Sequence, residues 1–132
     1  MFSLIITIIA IALVAALAVS SIYYGGSAFN KGTAAADAAT IVNGAQQVNA
    51  AIALSTVDGN TTHDLVADGY LTSMPAGLSL NGTSIEGTVA NVTVCNEIND
   101  MAGLAAKPVD ATGVTSYGCF GADDDNNSFV WK

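Results

Sequence analysis

The chain has 132 residues, room for one modest domain beside a leading apolar segment. It is 52% hydrophobic and only 11% charged, which excludes a largely disordered chain. Its formal net charge is −8, with three lysines and no arginine, so direct nucleic-acid binding, which neutralises phosphates with Lys and Arg, is not expected.

Residues 1–24, "MFSLIITIIAIALVAALAVSSIYY", carry no charge, and the first charged side chain is Lys31. A helix of about 20 apolar residues spans the hydrocarbon core of a bilayer. The segment has three readings: a cleaved secretory signal, a permanent membrane anchor, or an anchor that later packs against copies of itself. A signal normally has a positive n-region and a shorter apolar run. Neither holds here, although "ALA" at Ala16 to Ala18 would suit a signal peptidase. Tyr23 and Tyr24 stand where an interfacial aromatic belt would. Ala10, Ala12, Ala15, Ala16, Ala18, Ser20 and Ser21 are small enough to let helices approach closely.

Gly25, Gly26, Asn30 and Gly32 weaken helix locally. The division is therefore drawn as an apolar helix over 1–27 and a globular domain over 28–132, the latter including an amphipathic continuation. In that continuation Ile41, Ala45, Val48 and Ile52 recur at helical spacing, and Asp37, Gln46, Gln47 and Asn49 fall mainly elsewhere. Such a helix should lie on a sheet. Thr33 is its candidate cap, and "DGN" at Asp58 to Asn60 marks its end.

"TTHDLVADGYLTSMP" reads as a short helix capped by Thr61 or Thr62 and ending near Gly69. Leu78 and Leu80 then lead into Asn81-Gly82, a tight-turn dipeptide. Ile85, Val89, Val92 and Val94 suggest one or two further strands, interrupted at Gly87. "NEINDMAGLA" reads as a helical turn or two. "VTSYGCF" and "SFVWK" read as two short strands around the acidic turn "GADDDNN". The expected class is α+β: a long first helix on a small antiparallel sheet, with no internal repeats.

Cys95 and Cys119 are the two cysteines. In an oxidising compartment they would form a disulfide, and otherwise they remain two thiols. Closing a loop of about 25 residues is worth about 3 kcal/mol in the chain-entropy model.

With the apolar start, its amphipathic sequel to Leu54, the "LVADGYLTSMP" segment and the late cysteine pair, the chain resembles mature type IV pilins. The likeness covers nearly the whole length. It implies the pilin fold, a helical homopolymer at the cell surface, and storage of the subunit in the inner membrane before assembly. It implies as partners an assembly machine and a prepilin peptidase, whose cleavage would expose a methylated amine. The core of the filament would then contain Met1, Phe2, Leu4, Ile5, Ile8, Ile9, Leu13 and Leu17. Pilins usually keep a glutamate four residues beyond the mature N-terminus, paired with a neighbour's amine, whereas this chain has Ile5 there. Register would instead come from small-residue packing and from Ser3 and Thr7. Many pilins also unwind midway along the apolar half at Gly and Pro. Here the candidates for unwinding are Gly25, Gly26 and Gly32, because no Gly or Pro precedes them.

No arrangement of residues supports catalysis, and no enzyme is expected. His63, the one histidine, reads as a surface or capping residue. Asp123, Asp125 and Asn127 alternate as hard oxygen donors do in calcium loops. The glycine and distal glutamate of an EF-hand are missing, so the plain reading is an acidic turn, with calcium as the alternative and no other cofactor. Asn60, Asn81, Asn91 and Asn126 each begin an Asn-X-Ser/Thr sequon. The functional reading is a structural subunit of an extracellular filament. The alternatives are a pseudopilin of a secretion system and a membrane-anchored, exported binding domain that does not polymerise.

Overall fold

The computed structural model describes residues 1–61, 64–105, 107–108, 110–121 and 127–132. A first helix, α1, spans Phe2–Val57. It is followed by strands β1 (Leu78–Asn81) and β2 (Ser84–Val89), helix α2 (Val92–Ala102), a single 3-10 turn at Ala111–Gly113, and strands β3 (Tyr117–Phe120) and β4 (Asn127–Trp131). This is the α+β class expected from the sequence.

The chain divides into two compact units, Met1–Thr33 and Ala34–Lys132. The first is helix alone. Its glycines do not interrupt it: each costs about 1 kcal/mol against alanine, spread among Ala- and Leu-rich turns that favour helix. Apolar sequence gives way near residue 27, but packing begins with Ala34, the first buried side chain.

In the second unit the buried face of α1 runs through Ala34, Ala38, Val42, Ala45, Val48 and Ile52. Asp37, Gln46, Gln47 and Asn49 are exposed, as the periodicity requires. Small residues on this stripe let the helix lie close over the domain. At Gly44 an added Cβ would come within 3.1 Å of Pro75 Cβ and 3.3 Å of Leu78 Cδ1. The helix ends in a Schellman pattern: the Gly59 N–H donates to Thr56 and the Asn60 N–H to Ser55, with Gly59 at φ +77°. Tyr70 secures this end through its hydroxyl, which donates to Asp58 Oδ2 at 2.8 Å. That bond holds the phenol proton and raises the Tyr70 pKa above its ordinary value.

The sheet has the order β1-β2-β4-β3, antiparallel throughout. Its inner face contributes Ile85, Val89 and Phe129 to the core under α1, where Leu65 and Leu78 also sit. Asn81 pairs with Ser84, so the hairpin loop is Gly82-Thr83, with Gly82 at φ +64° in the first loop position.

Three local expectations are corrected. Over 64–70 the chain forms a hydrogen-bonded turn rather than a helix. The Asp68 N–H donates to Asp64, and then the chain reverses through Gly69 so that the Leu71 N–H meets the Leu65 carbonyl. The Thr62 cap and His63 lie outside the described residues. Second, Val92 and Val94 belong to α2 and not to a strand. Asn91 is its cap, accepting from the Thr93 N–H at 2.8 Å. Val94, Cys95, Ile98 and Asn99 then fall on one buried face, and Gly103 closes the helix in the left-handed region.

Third, Gly87 does not interrupt β2; it pairs with Leu78 on one side and Phe129 on the other. Glycine is needed because a Cβ there would stand 2.8 Å from both the Gly77 carbonyl oxygen and Leu78 Cδ2. Gly87→Ala should therefore destabilise the domain by about 2 kcal/mol through overpacking, despite alanine's better backbone entropy. Urea unfolding of the two proteins checks this: equal midpoints would show that the strands part freely.

Candidate assembly surface

The first unit carries an exposed apolar surface. The large apolar side chains before residue 25 are all exposed, and even the least exposed, Ile5 and Ile9, keep 52% and 54% of their surface. Met1, Phe2, Leu4, Ile8, Leu13 and Leu17 share this state. Mean hydropathy reaches 2.9 over an 18-residue window. At 1.5 Å per residue, about 20 such residues give about 30 Å, the thickness of a bilayer core. The helix is long and apolar enough to cross a membrane. In water the same surface would require burial in protein.

Thr7, Ala10, Ile11, Val14, Ala15 and Ala18 line a shallow apolar groove along the helix. Thr7 is polar but internally satisfied, since its hydroxyl donates to the Ser3 carbonyl at 2.5 Å. Its proton is committed to its own helix, so toward a neighbour Thr7 acts only as an acceptor. Tyr23 and Tyr24 follow in an edge-to-face pair, centroids 5.7 Å apart, both exposed.

Gly25, Gly26 and Gly32 have neither the positive φ of Gly59, Gly69, Gly77, Gly82 and Gly103 nor the close neighbours of the packed glycines. A Cβ at any of them would meet nothing within 4 Å, whereas at Gly44, Gly87 and Gly118 it would crowd a neighbour. Packing inside this chain does not demand glycine in the former set. What remains is conformational freedom, or close approach by another chain.

The second unit is fastened on the side of α2. Cys95 on α2 and Cys119 on β3 form the disulfide, with Cα atoms 5.3 Å apart. One helical turn beyond Cys95, the buried Asn99 side chain addresses the same strand. Its Nδ2 donates to the Cys119 carbonyl at 2.9 Å, and its Oδ1 accepts from the Cys119 N–H at 2.8 Å. The carboxamide thus behaves as a further strand would, closing the hydrogen-bonding edge of β3. Sequence reading missed Asn99. Its one signal was the i, i+4 spacing from Cys95, which is meaningful only once 95–99 is known to be helix.

At the far end the Lys132 ammonium donates to the Ala111 and Val114 carbonyls, at 2.6 and 2.7 Å. Asp110 caps the 3-10 turn, and its bonds from the Thr112 hydroxyl and N–H hold its carboxyl below the usual carboxylate range. Asp123 and Asp125 lie outside the described residues. Asn127 is buried in β4, and its Oδ1 accepts from Lys107 Nζ at 3.0 Å, so a cation there would compete with an ammonium. Among the described residues no three His, Cys, Asp or Glu side chains converge as metal ligands would.

Comparison with protein-family models, with curated proteins and with solved structures returns no match.

Proposed function

We propose that the chain is the structural subunit of an extracellular filament of the type IV pilus kind, polymerising through its first helix. The observation that carries this reading is a bilayer-length helix, apolar and exposed on every side, that continues as the core-forming helix of a disulfide-bearing α+β unit. Before assembly the apolar segment holds the subunit in the inner membrane. On assembly it exchanges lipid for neighbouring copies. Lipid tails are as apolar as leucine, so the exchange is favoured by close packing and interhelical hydrogen bonds. The small-residue groove suits close packing, and the Thr7 hydroxyl oxygen stays open to a donor from a neighbour. Gly25, Gly26 and Gly32 are where the helix would yield to fit its neighbours.

An assembly machine and a prepilin peptidase are the proposed partners, with no direct nucleic-acid contact and no enzymatic role. The acidic sequence at 123–126 is read as a plain acidic stretch, with calcium as the alternative.

Electron microscopy of material sheared from intact cells tests the reading. Long thin fibres with this chain as the main protein are expected. Confinement to membrane monomers would support the anchored-domain reading instead. Short periplasmic assemblies dependent on a secretion system would support the pseudopilin reading. Ile5→Glu should give no large gain in fibres, because register is already set by packing. A large gain would show that the missing carboxylate limits assembly.

A further inference from the structure

We propose that Asn91 carries an N-linked oligosaccharide. The proposal rests on the globular unit being exported, as argued above. Serine and threonine fill 22 of the 132 positions, so roughly two sequons are expected by chance among the ten asparagines; there are four, all beyond residue 59. The structure separates them. Asn60 is half-buried and its Nδ2 donates to Asp68 Oδ2. Asn81 Nδ2 donates to Glu86 Oε1 at 3.1 Å. Each has its reacting nitrogen tied to a carboxylate. Asn126 lies outside the described residues.

Asn91 is different. It is exposed, in the sequon Asn91-Val92-Thr93, and its carboxamide is held by the oxygen alone. Because Oδ1 accepts the Thr93 N–H, the side chain is fixed while its nitrogen stays available. Beside it opens a groove of about 280 Å³. Buried Val89 and Val94 and half-buried Ile41 form its floor, with exposed Asp37, Thr40 and Thr88 at its rim. An apolar floor with hydroxyl and carboxylate acceptors around it suits the first sugar ring of such a chain.

In the reaction Asn91 Nδ2 attacks the anomeric carbon of an oligosaccharide carried on a polyisoprenyl diphosphate. The carbon–nitrogen bond forms as the carbon–oxygen bond to phosphate breaks. The lipid diphosphate leaves with the electron pair, and the amide proton passes to a base of the transferase. No electron acceptor or donor is needed.

The test uses full-length chain purified from its producing cells, chymotryptic peptides, and tandem mass spectrometry. The peptide containing Asn91 is expected to carry a sugar mass. Thr93→Ala, which leaves the Asn91 cap intact, should lose it; Asn91→Asp, itself a good cap, should also lose it; Thr93→Ser should keep it. Surface labelling on the same intact cells reports export separately. An exported unit with bare Asn91, or with sugar confined to Asn60 or Asn81, overturns this proposal and leaves the filament reading standing. A unit shielded from the label with bare Asn91 overturns both.

Discussion

Ala10→Leu combined with Ala18→Leu is expected to leave the subunit in the membrane at its normal level and to reduce fibre yield by more than tenfold. The two environments of the helix respond oppositely to added methyl groups. In lipid, leucine at a helix centre contributes favourably, by a few tenths of a kcal/mol on insertion scales. The anchor therefore becomes slightly better. In a close-packed bundle, each added side chain enters a space already filled by a neighbour, at about 1–3 kcal/mol for overpacking. Two such costs at a repeating contact exceed the 1.4 kcal/mol that changes an equilibrium tenfold. The effect should be specific to the groove lined by Thr7, Ala10, Val14 and Ala18. Ile9→Leu, a volume-conserving change on an exposed position, serves as the control and should leave fibres intact. Membrane fractionation and quantitative microscopy of sheared material read the two arms. Normal fibre yield from the double variant would show that this face does not pack against other copies.

The features legible in the sequence were those set by local pattern. The apolar run announces its length directly, and the helical spacing of Ala45, Val48 and Ile52 identifies the buried side of α1. Asn81-Gly82 marks the β1-β2 hairpin, although the loop is Gly82-Thr83 because Asn81 still pairs with Ser84. Misreadings arose where local preference and tertiary context disagree. Val92 and Val94 are β-branched and favour strand, but the Asn91 cap and the apolar face formed with Cys95 and Ile98 make them helical. Gly87 looks like a strand breaker, yet its smallness admits the Gly77 carbonyl from the neighbouring chain segment, a contact invisible in one dimension. Along the apolar first unit the exposed residues were readable from hydropathy. The groove was not, because it depends on how the branched and small side chains stand around the helix.

Asn99→Leu should lower the stability of the folded unit by about 3 kcal/mol, close to the effect of losing the disulfide. Leucine fills a similar volume but leaves the Cys119 N–H and carbonyl without partners, at about 1–3 kcal/mol for each buried group. For a domain of about 100 residues that corresponds to a fall in Tm of about 15 °C. Gly118 leaves little room for rearrangement: a Cβ there would already stand 3.1 Å from Asn99 Oδ1. Asn99→Asp makes the same contact pH-dependent. The carboxylate still accepts from the Cys119 N–H but repels its carbonyl, so burial and that repulsion raise the pKa of the new acid. A raised folded pKa means the stabilising form is the protonated one. Stability should therefore be highest below the ordinary aspartate range and fall as pH rises through the raised value. The disulfide and Asn99 both bind α2 to β3 at Cys119, so their effects should not add. With Cys95→Ala and Cys119→Ala in place, α2 can draw away and water can reach the orphaned groups. Asn99→Leu should then cost about 1 kcal/mol less than in the disulfide-bonded protein. Thermal and urea unfolding of the four combinations measures that coupling. Strict additivity would mean that the helix is held to the strand by other contacts, and that closing the β3 edge is incidental to Asn99.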